Sequence, residues 1–367
     1  MFAPLTNKIG MAESKQKLNE LLLAAAKQNA SDLHIGVGRY PTLRIDDVLV
    51  PLQRETLLTP DVAENLIMAI LTPEQKETLL KKREIDFSYS FEDKARFRVN
   101  VFYQRGFLAA ALRLIPSQVR NLEELNLPPI LHDFTKLSQG FFLVVGPAGH
   151  GKSTTLAALV DEINHTRTDH IITIEDPIEY IFVQDKSIVS QREVGSDSLE
   201  FSTALKSLLR QDPDVVMIGE MRDPESIATA MTAAETGHLV FSTLHTNSAS
   251  QTIDRIIDSF PSEQQNQVAS QLASTLVGIV SERLIPRIDG GRIPACEIMI
   301  VNPAVRNLIR ERKTYQVDLV IETSVQEGMI TLNRFLADLV KTKQISLENA
   351  ELYSVNPGEL RILLERS

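Results

Sequence analysis

The sequence of 367 residues contains a single cysteine, Cys296. One thiol cannot form an intramolecular disulfide, and it cannot build a zinc site from several thiolates. Such sparse use of cysteine is consistent with a reducing compartment.

The sequence also lacks a long hydrophobic run. Crossing a bilayer takes about 20 apolar residues, whereas the longest candidates, such as residues 141–145, have only the length of a buried strand. Residues 1–10 contain no apolar core of signal-peptide length, and Met11 could be a second start. We therefore expect a cytoplasmic protein with a dispensable N-terminal extension.

Positive charge is in deficit, with 38 Lys and Arg against 48 Asp and Glu and a formal net charge of -10. This negative net charge argues against nucleic-acid binding through the electrostatic field of the whole protein. A local basic channel in an assembly would still be compatible with it. Hydrophobic residues make up 43% and charged residues 23%, as in an ordinary globular protein. The length suggests two domains.

Residues 1–117 have the pattern of an α+β domain. A helical stripe covers residues 18–26, and Thr59-Pro60-Asp61 is typical of a helix start. Short strand-like runs lie at 32–35, 42–45, 48–50, 85–91, 96–103 and 108–115, with a turn expected at Asp46-Asp47.

The pattern changes after residues 118–128, which we interpret as a linker because Pro, Asn and Glu are frequent there. Apolar runs at 141–145, 171–174, 215–218 and 239–244 then alternate with helical stretches at 155–163, 201–209 and 227–236. This alternation predicts an α/β domain with a parallel sheet covered on both faces. We place it at residues 129–300, with a helical C-terminal region at 301–367, and expect mostly helix from about residue 262.

The segment Gly146-Pro147-Ala148-Gly149-His150-Gly151-Lys152-Ser153 matches the phosphate-loop pattern G-x-x-x-x-G-K-[ST]. A predicted strand enters it and a predicted helix leaves it, so its backbone N–H groups and the helix dipole would face phosphate oxygens. Lys152 would reach the β and γ phosphates of ATP, and the Ser153 hydroxyl would bind Mg²⁺. We add Thr154 to the ATP-binding set. The alternative, an accidental glycine-rich turn, is disfavoured by the flanking elements.

Carboxylates follow two of the predicted strands. Glu220 ends Asp214-Val215-Val216-Met217-Ile218-Gly219-Glu220, which resembles a Walker B strand with Gly219 in place of the usual aspartate, and Glu175 ends the strand before Asp176. If these strands lie next to the P-loop strand, one acid could position Mg²⁺ and the other could activate the attacking water. Without the phosphate loop, solvated turns would be the better interpretation.

Histidines and arginines complete the candidate set. His238 and His245 flank the strand at 239–244 and are expected on opposite faces, so either could report the nucleotide state or be structural. Four arginines, Arg96, Arg98, Arg105 and Arg113, lie in the N-terminal domain. They could be surface charges, or they could reach the phosphates of a neighbouring subunit.

Several segments together resemble the PilT family of type IV pilus retraction ATPases, within the secretion ATPase superfamily. They are the phosphate loop and the segments at 31–34, 96–102, 174–180, 191–195, 209–214, 234–238 and 243–247. The resemblance runs from about residue 14 to about residue 345.

The resemblance implies a hexameric ring whose subunits have a PAS-like N-terminal domain and a RecA-like C-terminal domain, with ATP between them. By the same resemblance, Glu175 lies in the family's Asp box, Glu220 is its atypical Walker B acid, and His238 and His245 form its His box. Arg98 and Arg113 are then the arginines that complete the site, with Arg105 in reserve.

Within the superfamily that this resemblance implies, three features favour a retraction ATPase over an extension or secretion ATPase. It is too short for the extra N-terminal domain of pilus extension ATPases, and Cys296 alone cannot form their four-cysteine zinc site. Residues 304–311 are close to the family's retraction motif, with Val305 in place of isoleucine. Ala148 and His150 depart from the usual loop sequence at variable positions, and the tail after about Leu347 matches poorly.

We therefore expect a homohexameric ATPase that drives pilus retraction at the inner face of the inner membrane, using ATP and Mg²⁺. Its partners would be an inner-membrane platform protein and other pilus ATPases, and hydrolysis would change the angle between the two domains. The alternatives are an accessory retraction ATPase or a related secretion motor, a RecA-like nucleic-acid translocase and a small-molecule P-loop kinase.

Overall fold

The computed structural model describes residues 11–28, 30–45, 48–91, 95–115 and 119–365. The chain divides into two compact units, one made of residues 1–118 with Pro177–Ile181 and the other of the remaining residues to Ser367. The N-terminal extension of ten residues, the turn at Asp46-Asp47 and the first residue of the expected linker lie outside the described residues.

In its described residues, the first unit is an antiparallel sheet with three helices. The sheet has the order β3-β2-β1-β6-β5-β4. Its strands are β1 (Asp32–Ile35), β2 (Thr42–Ile45), β3 (Val48–Pro51), β4 (Glu84–Phe91), β5 (Ala95–Gln104) and β6 (Phe107–Ile115), and its helices are α1 (Met11–Lys27), α2 (Pro60–Met68) and α3 (Pro73–Lys82). The predicted α+β elements of this unit are confirmed, but α3 was not predicted. Only Leu79 of α3 is buried, so its sequence has no apolar stripe.

The second unit is built on a seven-stranded sheet of order β13-β12-β7-β11-β10-β8-β9. Its strands are β7 (Gly140–Val145), β8 (His170–Glu175), β9 (Ile188–Glu193), β10 (Val215–Ile218), β11 (Leu239–Leu244), β12 (Leu276–Pro286) and β13 (Arg292–Ile300). The strands from β12 across to β9 pair in parallel, and β13 pairs with β12 in the antiparallel sense. Every residue of β7, β10 and β11 is buried, as expected for parallel strands covered on both faces.

Helices lie between these strands and continue to the end of the described chain. They are α4 (Leu131–Thr135), α5 (Lys152–Thr166), α6 (Phe201–Leu208), α7 (Pro224–Glu235), α8 (Ala249–Asp258), α9 (Ser262–Thr275), α10 (Pro303–Arg310), α11 (Val317–Thr323), α12 (Leu332–Lys341), α13 (Leu347–Tyr353) and α14 (Pro357–Glu365). The predicted α/β class and the helices at 155–163, 201–209 and 227–236 are confirmed. Among the described residues, no helix combines the length and the apolar character that a membrane crossing requires.

The expectation of mostly helix after residue 262 is wrong for residues 276–300, which form β12 and β13. Glu282 and Arg283 interrupt the apolar pattern of β12, so the segment lacks the signature of a buried parallel strand. Pairing with β7 on one side and β13 on the other fixes it as a strand. Tertiary pairing here overrides the local pattern. β9 was also not predicted.

Candidate nucleotide-binding site

The phosphate loop joins the end of β7 to the start of α5. Three of its glycines have positive φ, 147° at Gly146, 76° at Gly149 and 98° at Gly151, which glycine adopts without strain. No side chain caps the N-terminus of α5, where Gly151 is the N-cap residue. The N–H groups of its first turn, together with the helix dipole, suit a phosphate group.

Lys152 is folded back onto the loop. Its ammonium group donates to the carbonyl of Pro147 at 2.8 Å and lies 3.3 Å from Nδ1 of His245. The side chain is only 7% exposed. The lysine therefore lies at the loop, where it can reach the phosphates of a bound nucleotide.

A chain of charged side chains runs from Lys152 across the carboxyl ends of two strands. His245 follows β11, and its Nε2 lies 3.0 Å from Oε1 of Glu220, which follows β10. The other carboxylate oxygen of Glu220 accepts from Nε of Arg222 at 2.9 Å, and Arg222 also reaches Asp176 at 3.3 Å. An imidazole protonated at Nε2 satisfies both neighbours of His245, since Nδ1 then accepts from Lys152.

The predicted position of Glu220 needs a correction. We expected its strand next to the P-loop strand, but β11 lies between β7 and β10. His245, at the end of this intervening strand, occupies the space between Lys152 and Glu220. The strand order of a sheet is a tertiary property that an alternation of strands and helices does not specify.

Glu175 is the last residue of β8, one strand beyond Glu220, and its side chain is buried. Oε1 accepts from the Thr173 hydroxyl at 2.6 Å and from the Gln191 amide at 3.2 Å. The carboxylate is thus held in one orientation at the same edge of the sheet as the phosphate loop.

His238 lies at the opposite end of β11. Its carbonyl accepts from N–H of Gly140 at the start of β7, and its Nδ1 lies 2.8 Å from the carbonyl of Ala233. The length of a six-residue strand, roughly 20 Å, therefore separates it from His245. Within one chain the structure does not bring the two histidines together.

The candidate arginines lie in the first unit. Arg98 and Arg113 are cross-strand partners on β5 and β6, and both are exposed. Nε of Arg113 donates to Oδ1 of Asp32 at 3.1 Å, while Arg105 lies in the turn between β5 and β6 with a φ of 53°. Among the described residues of the first unit, neither Arg98 nor Arg113 has a buried guanidinium group.

Sequence reasoning missed two contacts beneath the phosphate loop. Glu282 on β12 is 2% exposed, and its Oε2 accepts from the Thr155 hydroxyl at 2.6 Å. Burial raises the pKa of Glu282 to about 7, against the Thr155 hydrogen bond and the charge of Lys152, which lower it. The one signal in the sequence was the pair of charged residues, Glu282 and Arg283, that interrupts the apolar pattern of this strand.

The second missed contact involves His150 of the loop. Its Nδ1 accepts from the backbone N–H of Leu284 at 2.9 Å, beyond the last pair between β12 and β7. Burial, with Arg283 and Lys152 as further causes, lowers the pKa of this imidazole. A neutral His150 thus satisfies a strand amide that β7 does not reach.

The described residues offer few oxygen ligands for Mg²⁺ at this site, so the phosphates of a bound nucleotide would have to supply others. Ser153 is the second residue of α5, and Glu220 supplies a carboxylate at the sheet edge. Within the described part of the chain, no group of three or more His, Cys, Asp or Glu side chains could hold a metal alone. Mg²⁺ usually takes one or two protein ligands together with substrate phosphates and water, a number that Ser153 and Glu220 would supply.

Comparison with known proteins decides the family. The model of the family described as "Type II/IV secretion system protein" matches residues 9–349. The chain is 48% identical to the type IV pilus retraction ATPase PilT of Pseudomonas aeruginosa, over 91% of this chain and 96% of that protein. This chain belongs to the PilT family.

Two further relatives agree with this membership. A twitching motility protein of Neisseria gonorrhoeae is 46% identical over 80% of this chain and 78% of its own length. The crystal structure of the pilus retraction motor PilT with bound ADP superposes with a TM-score of 0.88 at 46% identity, covering 94% of this chain and 98% of that chain.

Proposed function

We propose that this protein is an ATPase motor that drives type IV pilus retraction and thereby twitching motility. The observation that carries the proposal is the phosphate loop with Lys152 linked through His245 to Glu220, in a chain 48% identical to a retraction ATPase. A glycine-rich loop with a reachable lysine suits nucleotide binding. Hydrolysis requires in addition a carboxylate near the phosphates to position the metal or the attacking water.

In this proposal the chain's residues divide the chemistry as follows. Loop residues 146–154 surround the phosphates, with the backbone N–H groups of the residues other than Pro147 as donors, and Lys152 moves from the Pro147 carbonyl to the β and γ phosphates. Ser153 and Glu220 would hold Mg²⁺, which would neutralise the charge that develops on the phosphates. Glu220 suits this role because His245 connects it to Lys152 beside the loop. Glu175, held by Thr173 and Gln191, orients and deprotonates the attacking water.

We further propose a homohexamer in which Arg98 and Arg113 reach the nucleotide of a neighbouring subunit. Their exposure on strands of the first unit supports this, because an arginine supplied from another subunit can stabilise the transition-state charge. His238 would likewise act across a subunit boundary. The motor stroke would be a rotation about the segment that joins a PAS-like domain (residues 1–117) to a RecA-like domain (residues 129–300).

The motor would work at the cytoplasmic face of the inner membrane, on a platform protein and beside other pilus ATPases. The test is a strain that lacks this protein, assayed for twitching and for pilus retraction under the microscope. Wild-type protein should restore retraction and Lys152→Ala should not. Lys136→Ala is the matched control, since Lys136 is an exposed lysine paired with Asp133. Normal retraction in the deletion strain would contradict the proposal and favour an accessory role.

A further inference from the structure

Glu282 is the first residue of β12 beyond the last pair with β7, which joins Ser281 to Val145. It therefore lies directly behind the phosphate loop, where β7 ends. Its backbone and its side chain both contact the loop, at opposite ends. A Cβ added at Gly146 would collide with the Glu282 carbonyl oxygen, and one added at Gly151 would collide with Oε1.

These contacts form a closed arrangement with the first turn of α5. The Thr155 N–H donates to the Gly151 carbonyl at 2.9 Å, and the Thr155 hydroxyl donates to Oε2 of Glu282 at 2.6 Å. Oε1 of the same carboxylate lies against Gly151. Gly151 is thus held between the helix that follows it and a strand more than a hundred residues later in the chain.

Burying a carboxyl group at this position is costly, and an apolar side chain would serve the strand better. The described groups that act on Glu282 electrostatically are Lys152 from α5 and Cys296, its cross-strand neighbour on β13. The acid accepts the Thr155 hydroxyl and lies against both Gly146 and Gly151 of the loop.

We propose that Glu282 is a positioning residue for nucleotide binding, which sets the distance between the Gly146 and Gly151 ends of the phosphate loop before the nucleotide arrives. The inference rests on the proposed function, because it assumes that the loop binds ATP. A loop held in its binding shape loses less conformational freedom on binding, so removing the support weakens affinity. Such a loss is shared by ground state and transition state, and it raises KM without lowering kcat.

The test compares Glu282→Ala with Glu282→Gln in the full-length protein. The affinity is measured by fluorescence titration with ADP that carries an N-methylanthraniloyl group, and KM and kcat by phosphate release. Glu282→Ala should weaken the affinity and raise KM about tenfold, equivalent to about 1.4 kcal/mol, with kcat within about twofold of wild type. Glu282→Gln should restore wild-type affinity, because its amide oxygen can accept from Thr155.

Two further variants separate positioning from general destabilisation. Glu297→Ala removes another acid whose pKa burial raises to about 7, but one that binds the N–H of Ala249 at the start of α8. It should lower Tm and leave the nucleotide affinity unchanged. Thr155→Val removes the Glu282 hydrogen bond from the other side. Its effect should not add to that of Glu282→Ala, because both remove one contact.

Wild-type affinity in Glu282→Ala, or an affinity in Glu282→Gln as weak as in Glu282→Ala, would overturn the inference. The proposed function would survive that result if wild type hydrolyses ATP and Lys152→Ala does not. If Glu282→Ala does not fold, Thr155→Val decides the question: weaker affinity with unchanged kcat supports the inference, and wild-type affinity overturns it.

Discussion

Nε2 of His245 lies 3.0 Å from Oε1 of Glu220, and this pair joins the end of β11 to the carboxylate beyond β10. Its other ring nitrogen lies 3.3 Å from the ammonium of Lys152. One imidazole therefore fixes the distance between the proposed phosphate-binding lysine and the proposed metal-binding acid. Such a link can pass a change at the γ phosphate to the sheet edge.

Replacing this imidazole is the first prediction. His245→Ala should lower kcat for phosphate release by at least about tenfold, because positioning of the proposed catalytic groups is lost. His165→Ala is the control, since that histidine lies near the end of α5 and pairs with Asp161 and Asp185. Equal activity of His245→Ala and wild type would show that the link has no role in hydrolysis.

The second prediction concerns the two acids. Glu175→Gln should keep nucleotide affinity and lose about 100-fold or more in kcat, the effect of removing a general base. Glu220→Gln should also hydrolyse slowly, and it should in addition need more Mg²⁺ for half-maximal activity. A Mg²⁺ titration of both variants checks this. A raised Mg²⁺ requirement in Glu175→Gln instead would exchange the two roles.

Glu297 gives a prediction about pH. Burial raises its pKa to about 7 from 4.5, so the folded protein binds more protons than the unfolded chain between these values. The stability that the protonated group contributes is therefore lost as pH rises towards 7. Glu297→Gln stays neutral and can still accept from Ala249, so its stability relative to wild type should rise by about 2–3 kcal/mol between pH 5 and pH 8. Urea unfolding at both pH values measures the difference, and a constant difference would contradict it.

His150 has the opposite pH dependence. Burial lowers its pKa below the ordinary 6.5, so its contribution is present above pH 6.5 and is lost as pH falls through the lower pKa of the folded state. His150→Ala leaves the Leu284 N–H without its acceptor and should cost about 1 kcal/mol at pH 8. Thermal unfolding should show a smaller deficit at pH 5, where the wild-type bond is weakened too. A deficit that grows towards pH 5 would refute this account of His150.

Local patterns in the sequence predicted the phosphate loop, the strand before it, the helix after it and the strand-end acids. Each of these predictions depends on residues that are close together in the sequence, as the apolar run of residues 141–145 directly before Gly146 illustrates. The pairing of elements was not predictable in this way. That β11 carries His245 between β7 and β10 follows only from the order of the sheet.

The contacts beneath the loop could not be predicted either, because they join residues far apart in the sequence. Thr155 and Glu282 are 127 positions apart, and His150 and Leu284 are 134 positions apart. Glu282 and Arg283 inside β12 weaken the strand pattern, so the sequence predicts helix there. Of these two charged residues, Glu282 is the one that contacts both ends of the loop.

ATP hydrolysis at the phosphate loop is the central claim, and phosphate release by the purified protein with Mg²⁺ and ATP tests it most directly. Wild type should turn over ATP, and Lys152→Ala, which removes the ammonium group near the Pro147 carbonyl and His245, should lose about 100-fold or more in rate. Full turnover by the Lys152→Ala variant would contradict the account.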